Sequence, residues 1–355
     1  LQVEWFCNLS LASDLVAIHS PWNLRFARND GGYRVELGEM ELKPDLQVSV
    51  PTAQSIVDQA VSDRAVATVS RLYGGEIAAI HEIAFADPAH QPLVLKVYPD
   101  DLRWKMQKEV TVTGLIQDRL SVPAPRILLA DDSKRLLQLN FILMSKLDGS
   151  SLGQVEKDLT AEQLAAAYAQ IGQLLREFHR IPMEAFGYIG PTGIWTAHSS
   201  NHDYLTHQFQ RKLTEFAERG GDARLAQRVA GHVAERAQLF KGCPQAVLCH
   251  NDLHAGNLLA TIGNAGPRLT GVLDFEGALA GDPLMDVAKA LYYLDEACRR
   301  GLLDGYGALD REHGSETLDL YHLYFVLELW CWMAQIGRKE RLDELALELE
   351  DGSAA

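Results

Sequence analysis

An aspartate and an asparagine, five positions apart, form the most distinctive chemical pattern in the 355-residue sequence. Asp252 and Asn257 lie in the segment His-Asn-Asp-Leu-His-Ala-Gly-Asn, residues 250–257. A tight loop of this length can place a carboxylate against an incoming hydroxyl and an amide oxygen against a metal ion on nucleotide phosphates. In the structural alternative, Asp252 is a turn residue and Asn257 a helix cap. We therefore consider Asp252 a candidate catalytic base and Asn257 a candidate metal ligand.

A second carboxylate, Asp274, follows this segment at a spacing that suits a metal ligand. Asp274 comes seventeen residues after Asn257, at the end of the apolar run 269–273 and directly before Phe275. The segment 250–257 fits the protein-kinase catalytic loop H-R-D-L-x-x-x-N at every fixed letter except Arg, and Asp274 has the place of the D-F-G aspartate, which binds Mg²⁺. The two motifs in this order predict an Mg²⁺ site formed by Asn257 and Asp274.

A lysine and a glutamate in the first half are candidates for binding the nucleotide. Lys96 lies in Val-Leu-Lys-Val-Tyr, residues 94–98, where apolar neighbours on both sides make an unpaired ammonium unfavourable. Glu109 is the one acid between Leu102 and Gln117, so it is the predicted partner. The alternative is that both side chains are solvated at the surface.

Two backbone segments complete the predicted nucleotide site. Gly74 and Gly75 stand between two strand-like runs, where backbone amides could cover phosphates, although Gly-Gly is also an ordinary hairpin turn. The segment from Met144 to Lys146 is expected to contact the nucleobase of ATP or GTP. The sequence does not distinguish these two nucleotides.

The predicted secondary structure divides the chain in two. Residues 1–51 form an N-terminal extension with one strand-like piece at 33–37 and no assigned chemistry. A helix begins at Thr52 as N-cap and ends near 64, and a helix at 100–120 interrupts five strand-like runs. These runs lie at 66–73, 77–85, 93–98, 126–129 and 137–147. The pattern predicts a five-stranded sheet with one inserted helix.

Beyond residue 147 the periodicity becomes mainly helical. Helices are predicted at 160–179, twice between 203 and 240, and from 283 to the end, with short strands near 246–249, 257–260 and 269–273. We therefore expect an α+β, protein-kinase-like two-lobe fold, in which 52–147 form a small antiparallel-sheet N-lobe and 148–355 a larger, mainly helical C-lobe. A cleft between two lobes is a preferred ligand site.

With these motifs the chain resembles the aminoglycoside phosphotransferase family over about residues 52–345. The resemblance is carried by 247–259, which is similar to the family's H-G-D-x-H-x-x-N loop with Asn251 in place of the usual Gly, and by 271–276 followed by Gly-Asp-Pro at 281–283 and by Asp286. It implies Mg²⁺-dependent transfer of a γ-phosphoryl group to a hydroxyl, with Asp252 as base and Lys96 on the phosphates. His250 and Asp286 are expected to hold the loop.

Composition restricts the partners. The net charge of −15 argues against nucleic acid, because phosphate backbones are bound by basic patches. No apolar run is long enough for a membrane span, and the five cysteines show no metal or disulfide spacing, so a cytoplasmic protein is expected. Residues 284–355 carry 15 acids against 7 bases, which indicates a cationic, aminoglycoside-like acceptor rather than a neutral one such as a macrolide or a sugar; the alternative is that the acids only serve solubility. Those considered are Asp295, Glu296, Asp304, Asp310, Glu312 and Glu316.

Two other classes of function are open. Gly-Ser-Ser-Leu-Gly at 149–153 satisfies the G-x-S-x-G pattern of serine hydrolases, with Ser151 as nucleophile. Gly153 and the polar stretch to Asp158 argue against the helix that such a motif requires directly after the serine. The second alternative is a pseudokinase, a nucleotide-binding module without catalysis, although the candidates for base, metal ligands and phosphate lysine are all present.

Overall fold

The computed structural model describes residues 24–29, 32–37, 46–72, 78–264, 266–309 and 311–354. The chain divides into two compact units, Leu1–Met40 and Glu41–Ala355. In the first unit, strands β1 (Leu24–Asn29) and β2 (Gly32–Leu37) pair antiparallel, and β2 contains the strand predicted at 33–37. The following paragraphs concern the second unit.

Helix α1 (Val50–Ala60) precedes the first sheet of the second unit. The prediction that Thr52 caps this helix is wrong, because Ser49 is the N-cap and its hydroxyl accepts a hydrogen bond from the Thr52 amide at 3.2 Å. Pro51 lies in the first turn, where its missing N–H has no helical partner to lose. The helix contributes Ala53, Ile56 and Val57 to the core.

The predicted five-stranded sheet is confirmed. Its strand order is β3-β4-β5-β7-β6, and every neighbouring pair is antiparallel. Helix α2 (Arg103–Ile116) is inserted between β5 and β6, four residues shorter at its end than predicted. Lys96 lies on the central strand, between Ile80 and Ile142 of the neighbouring strands. The strands are β3 (Val66–Leu72), β4 (Ala79–Phe85), β5 (Leu93–Tyr98), β6 (Ile127–Asp131) and β7 (Asn140–Ser145).

Helices dominate the chain beyond β7. Thr160 caps α4 in a capping box: its hydroxyl accepts from the Gln163 amide, and the Gln163 side chain accepts from the Thr160 amide. Asp282 caps α7, with Pro283 in the first turn. The helices are α3 (Leu152–Val155), α4 (Ala161–Phe178), α5 (Asn201–Glu218), α6 (Ala223–Arg236), α7 (Pro283–Leu291), α8 (Glu296–Tyr306), α9 (Gly314–Gln335) and α10 (Leu342–Gly352).

Short strands carry the motifs of this part. Strands β11, β12 and β13 correspond to three predicted runs, whereas the hairpin of β9 and β10 lies in a stretch without a predicted strand. Glycines at both ends of its turn and apolar residues on either side were the available signal. The strands are β8 (Ser150–Ser151), β9 (Phe186–Gly190), β10 (Gly193–His198), β11 (Val247–Cys249), β12 (Leu258–Gly263), β13 (Gly266–Val272) and β14 (Leu279–Gly281).

The predicted α+β class is confirmed, with an antiparallel sheet in the first part and ten helices among the described residues. The proposed lobe boundary near residue 147 falls between β7 and β8. Two buried clusters organise the helical part, one around α9 and one around α4. Among the described residues, no helix is both long and apolar enough to cross a membrane.

Candidate active site

The loop between β11 and β12 is held in place by the buried carboxylate of Asp286. The backbone amides of His250 and Asn251 donate to the two oxygens of Asp286, at 2.7 and 2.8 Å. The ring of His179 contacts the same carboxylate at 3.2 Å. Burial would raise the pKa of Asp286, but His179 and the other donors more than offset this effect and hold the pKa below its ordinary value. Asp286 is therefore an ionised support of the loop.

The backbone conformation at position 251 explains why asparagine can stand there in place of glycine. Its φ angle is 58°, in the left-handed region that glycine and asparagine adopt most readily. The loop then turns so that Asn257, six residues after Asn251, donates from its side-chain Nδ2 to Asp252, at 2.9 Å to the carbonyl oxygen and 3.1 Å to Oδ2. Asp252 and Asn257 are thus neighbours, and the Asn257 amide oxygen is the atom that would bind a metal ion.

His250 connects the loop to Asp274. Its Nε2 donates to the Leu273 carbonyl at 3.1 Å, which fixes Nδ1 as the unprotonated nitrogen. The ring is buried against Phe178 and Phe275, so burial lowers the pKa of His250 below its ordinary value. Asp274 itself has a left-handed backbone, with φ 64°. The turn directs the chain from β13 into the helical turn that contains Glu276.

Lys96 and three carboxylates form a compact charge cluster. Lys96 Nζ lies 2.8 Å from Glu109 Oε2, 3.0 Å from Glu276 Oε1 and 3.3 Å from Asp274 Oδ1. Tyr98 also donates to Glu109. Burial would lower the pKa of Lys96, but the surrounding carboxylates raise it well above its ordinary value. The lysine is therefore a fixed cation between the sheet, α2 and the Asp274 turn.

Glu276 is the residue of this cluster that the sequence reasoning did not include. It stands where protein kinases have the Gly of D-F-G, and it accepts from Lys96 and, at 3.4 Å, from Lys105. The signal was available, because an acid at this place directly follows Asp274-Phe275. Its buried side chain joins the Asp274 turn to β5 through Lys96 and to α2 through Lys105.

The donor atoms of the cluster suit Mg²⁺. Oxygens of Glu109, Asp274 and Glu276 lie within 4.8 Å of one another, and carboxylates are the ligands that this ion prefers. Glu109 and Glu276 are buried and bound to lysines, whereas the side chain of Asp274 is 35% exposed. Burial would raise the pKa of Asp274, yet Lys96 and Lys105 lower it overall, so the carboxylate is ionised at neutral pH. Asp274 with Asn257 is the set that could hold the ion.

Of the other nucleotide candidates, the structure describes Met144 and Lys146. Gly74 and Gly75 lie outside the described residues. Met144 is buried in β7 and pairs with Val94. Lys146 Nζ contacts Glu82 Oε2 at 2.5 Å, and Lys146 also borders a pocket of about 270 Å³ beside the segment that joins β7 to β8.

Ser151 is placed differently from a hydrolase nucleophile. The expectation that no helix follows it directly is wrong, since α3 begins at Leu152. However, Ser151 pairs with β12, and its hydroxyl donates to the Ala255 carbonyl at 3.4 Å. Within the described residues, no histidine hydrogen-bonds to Ser151.

The acids behind the predicted cationic acceptor are surface residues. Of the six considered, Asp310 lies outside the described residues, and the other five are exposed. Asp295 caps α8, and Glu296 contacts Arg300 at 3.6 Å. These acids are therefore involved in local surface contacts.

Comparisons with known proteins agree with this geometry. No curated protein is a significant sequence match. A thermostable mutant of aminoglycoside phosphotransferase APH(4)-Ia, in its apo form, is similar in structure, with a TM-score of 0.67, 18% identity and coverage of 86% of this chain and 98% of that chain. A ternary complex of such a mutant with ADP and hygromycin B gives a TM-score of 0.64 and 18% identity over 85% of this chain and 97% of that chain.

A more distant solved structure, the GDP and kanamycin complex of APH(2")-IIia, has a TM-score of 0.62 and 16% identity over 85% of this chain and 98% of that chain. At these identities the likeness shows the fold, and it confirms the predicted protein-kinase-like architecture. The model of the phosphotransferase enzyme family (APH) matches residues 80–319, which contain Lys96, Asp252, Asn257 and Asp274. The chain belongs to this phosphotransferase family.

Proposed function

We propose that the protein transfers the γ-phosphoryl group of ATP or GTP to a hydroxyl of a small molecule. The observation that carries the proposal is the convergence of two groups: Lys96 lies 3.3 Å from Asp274, and Asn257 lies 3.1 Å from Asp252. Lys96 would bind the phosphates, Asp274 and Asn257 would hold the metal ion, and Asp252 would meet the hydroxyl. Membership in a phosphotransferase family supports this reading.

Each residue has one step in the proposed reaction. Asp252 accepts the proton of the acceptor hydroxyl as its oxygen forms a bond to the γ-phosphorus. The bond between that phosphorus and the bridging oxygen of the nucleotide breaks, and the nucleoside diphosphate leaves. Lys96 neutralises phosphate charge. Asn257 and Asp274 would hold Mg²⁺, which when bound neutralises the charge that develops on the phosphate oxygens.

The pseudokinase alternative predicts nucleotide binding without transfer. The preserved contacts among Lys96, Glu109 and Asp274 do not favour it, because loss of such residues is its usual sign. The hydrolase alternative receives no support from the Ser151 contacts. Its test is Ser151→Ala, which we expect to leave all activity unchanged.

An aminoglycoside-like cation is one candidate acceptor. It is favoured by the solved complexes of family members with hygromycin B and kanamycin and by the acidic C-terminal segment. Because the acids are exposed, attraction would act over long range, and kcat/KM for a cationic acceptor should fall steeply as the Debye length shrinks from about 30 Å at 0.01 M to about 8 Å at 0.15 M salt. A flat salt dependence would remove this support. The cytoplasmic location and the lack of a nucleic-acid partner stay predictions.

The direct experiment is a screen of hydroxyl acceptors with both nucleotides, in which release of the nucleoside diphosphate is measured with and without Mg²⁺. The proposal expects acceptor-dependent release that requires Mg²⁺. Binding of Mg²⁺ and nucleotide without transfer to any acceptor would favour the pseudokinase.

A further inference from the structure

A second buried lysine lies on the same helix as Glu109. The side chain of Lys108 is completely enclosed, with an exposed fraction of 0%, and its Nζ has no hydrogen-bond partner. Its nearest aromatic neighbour is Tyr188 of β9, with Nζ 3.7 Å from the ring centroid. A cation–π contact offsets only part of the cost of burying an ammonium group. The position therefore lacks a negative charge.

The neighbouring carboxylates already have partners. Glu276 contacts Lys105 at 3.4 Å in addition to Lys96, and Glu328 contacts Lys289 at 3.2 Å. Burial first, and then the positive charges of Lys105 and Lys289, lower the pKa of Lys108, and the two glutamates oppose this only in part. Lys105 and Lys289 are thus each paired with a carboxylate, Lys108 is not, and one more anion near Lys108 would be favourable.

This region adjoins the candidate base. The amide of Asn251, the residue before Asp252, donates to Asp286 of α7, and Lys289 follows three positions later on the same helix. Gly277, which follows Glu276, backs directly onto the base: a Cβ at this glycine would lie 3.2 Å from the Asp252 Cβ.

Aromatic rings form the adjoining wall. Trp104 packs against Tyr188 and Trp195, with ring centroids 6.3 and 5.8 Å apart, and Lys105 Nζ lies 5.7 Å from the Trp104 ring. The side chains of Lys105 and Lys289 are 16% and 17% exposed, so solvent reaches them. They form the accessible part of the site, and Lys108 lies behind them.

We propose that the acceptor carries an anionic group, a carboxylate or a phosphate, which binds at the accessible Lys105 and Lys289, in front of the enclosed Lys108, while the acceptor hydroxyl meets Asp252. This inference rests on the proposed kinase function and specifies its substrate class as an alternative to the cationic acceptor considered above, and the acceptor panel described next distinguishes the two. The anion would supply the charge that Lys108 lacks. The binding energy would also orient the hydroxyl, since charged groups that are buried together fix register as well as affinity.

The test compares acceptors that share a skeleton and differ in charge: glucose, glucosamine, gluconate and glucose 6-phosphate. We expect kcat/KM for gluconate or glucose 6-phosphate to exceed that for glucose by about a hundredfold, because each bidentate or buried charge contact is worth a large factor. The ratio of gluconate to glucose 6-phosphate then distinguishes a carboxylate from a phosphate as the preferred anion. Preference for glucose or glucosamine would overturn the inference.

A variant pair makes the assignment specific to Lys108. Lys108→Met should remove the preference for the anionic acceptor, about tenfold to a hundredfold in kcat/KM, with the neutral acceptor unchanged. The exposed Lys157→Met is the matched control and should behave as the parent. Equal losses with all acceptors, in a variant that melts at or above the melting temperature of the parent, would contradict the proposal, and Lys289→Met provides a second variant for the same comparison.

If no acceptor of the panel is phosphorylated, acceptor binding is measured instead of turnover. Calorimetry with gluconate and with glucose 6-phosphate on the protein loaded with Mg²⁺ and AMP-PNP should show binding that Lys108→Met weakens. Failure of both to bind overturns the inference. Failure of the kinase proposal itself is seen separately, as the absence of Mg²⁺-dependent AMP-PNP binding to the parent protein or as nucleotide binding without transfer to any acceptor in the hydroxyl-acceptor screen.

Discussion

Two lysines, twelve positions apart, are both buried in this protein and have opposite surroundings. Lys96 is enclosed by three carboxylates at 2.8–3.3 Å, whereas Lys108 has an aromatic ring and no hydrogen bond. Burial disfavours the charge of both side chains. The carboxylates reverse this effect at Lys96, where the pKa is raised, but nothing reverses it at Lys108, where the pKa is lowered.

The difference shows what each region lacks. Around Lys96 the negative charges outnumber the positive ones, which suits the binding of a metal ion. The buried Lys108 ammonium has no carboxylate partner of its own, which suits the binding of an anion. The two regions meet at Glu276, which contacts Lys96 and Lys105.

The largest expected effect is at the negative region. Asp274→Ala should abolish Mg²⁺-dependent nucleotide binding, because it removes the carboxylate that is accessible to the ion. Calorimetry with AMP-PNP in the presence and absence of Mg²⁺ measures this directly. If nucleotide binding in the presence of Mg²⁺ is unchanged, Asp274 is not a metal ligand, and the region around Lys96 is not the metal site.

The second expected effect separates the two lysines by substrate. Lys96→Met should raise the KM for the nucleotide by about tenfold to a hundredfold, and more than the KM for the acceptor, since its ammonium is placed on the phosphates. Glu109→Gln should act in the same direction and more weakly. Steady-state kinetics of both variants, with each substrate varied in turn, measures the two KM values. Equal effects on the KM of nucleotide and acceptor would mean that Lys96 has only a structural role.

The third expected effect is on stability. Lys108→Met should raise the free energy of unfolding at pH 7 by about 1–3 kcal/mol, because a buried charge without a partner is replaced by an apolar side chain of similar length. The pKa of Lys108 is lowered in the folded state, so the unfolded chain binds this proton more strongly and the parent gains stability as the pH rises toward about 10.4. The variant should lack that gain.

Urea denaturation at pH 7.0 and 9.5 measures the stability change, with Lys157→Met as control. A loss of stability in Lys108→Met would mean that the lysine has a partner in solution, and the anionic-acceptor inference would lose its main support.

The smallest expected effect concerns the histidine below the catalytic loop. The pKa of His250 is lowered by burial, so below about pH 6.5 the unfolded chain takes up a proton that the folded ring refuses, and stability falls as the pH decreases. His250→Gln should reduce this slope, by at most about 1.4 kcal/mol per pH unit. Denaturation series at pH 7.5, 6.5 and 5.5 test it, and parallel slopes in parent and variant would contradict it.

Sequence patterns could predict the sheet and the catalytic motifs because both depend on local signals. Strand alternation and capping chemistry are encoded within a few residues, as at Thr160 and Asp282. The positions of Asp252, Asn257 and Asp274 followed from spacing within one segment of the chain. Their roles stay predictions until variants are measured.

The remaining features depend on contacts between distant segments. Glu276 gains its importance from Lys96 and Lys105, more than 170 positions earlier, and Lys108 becomes distinctive only where Tyr188 of the β9–β10 hairpin covers it. Helical periodicity carries no information about such tertiary pairing. Net charge is likewise a poor guide to a site, since five acids counted in the C-terminal segment lie at the surface.

The most direct test of the proposed function is the turnover of Asp252→Asn with the best acceptor of the panel, alongside calorimetry of the same variant with Mg²⁺ and AMP-PNP. We predict that turnover falls by about two to four orders of magnitude while nucleotide affinity is nearly intact, as expected for the loss of a general base.

Ser151→Ala is the control and should match the parent in both turnover and nucleotide affinity. Turnover of Asp252→Asn within tenfold of the parent would contradict the role of Asp252 and with it the proposed mechanism.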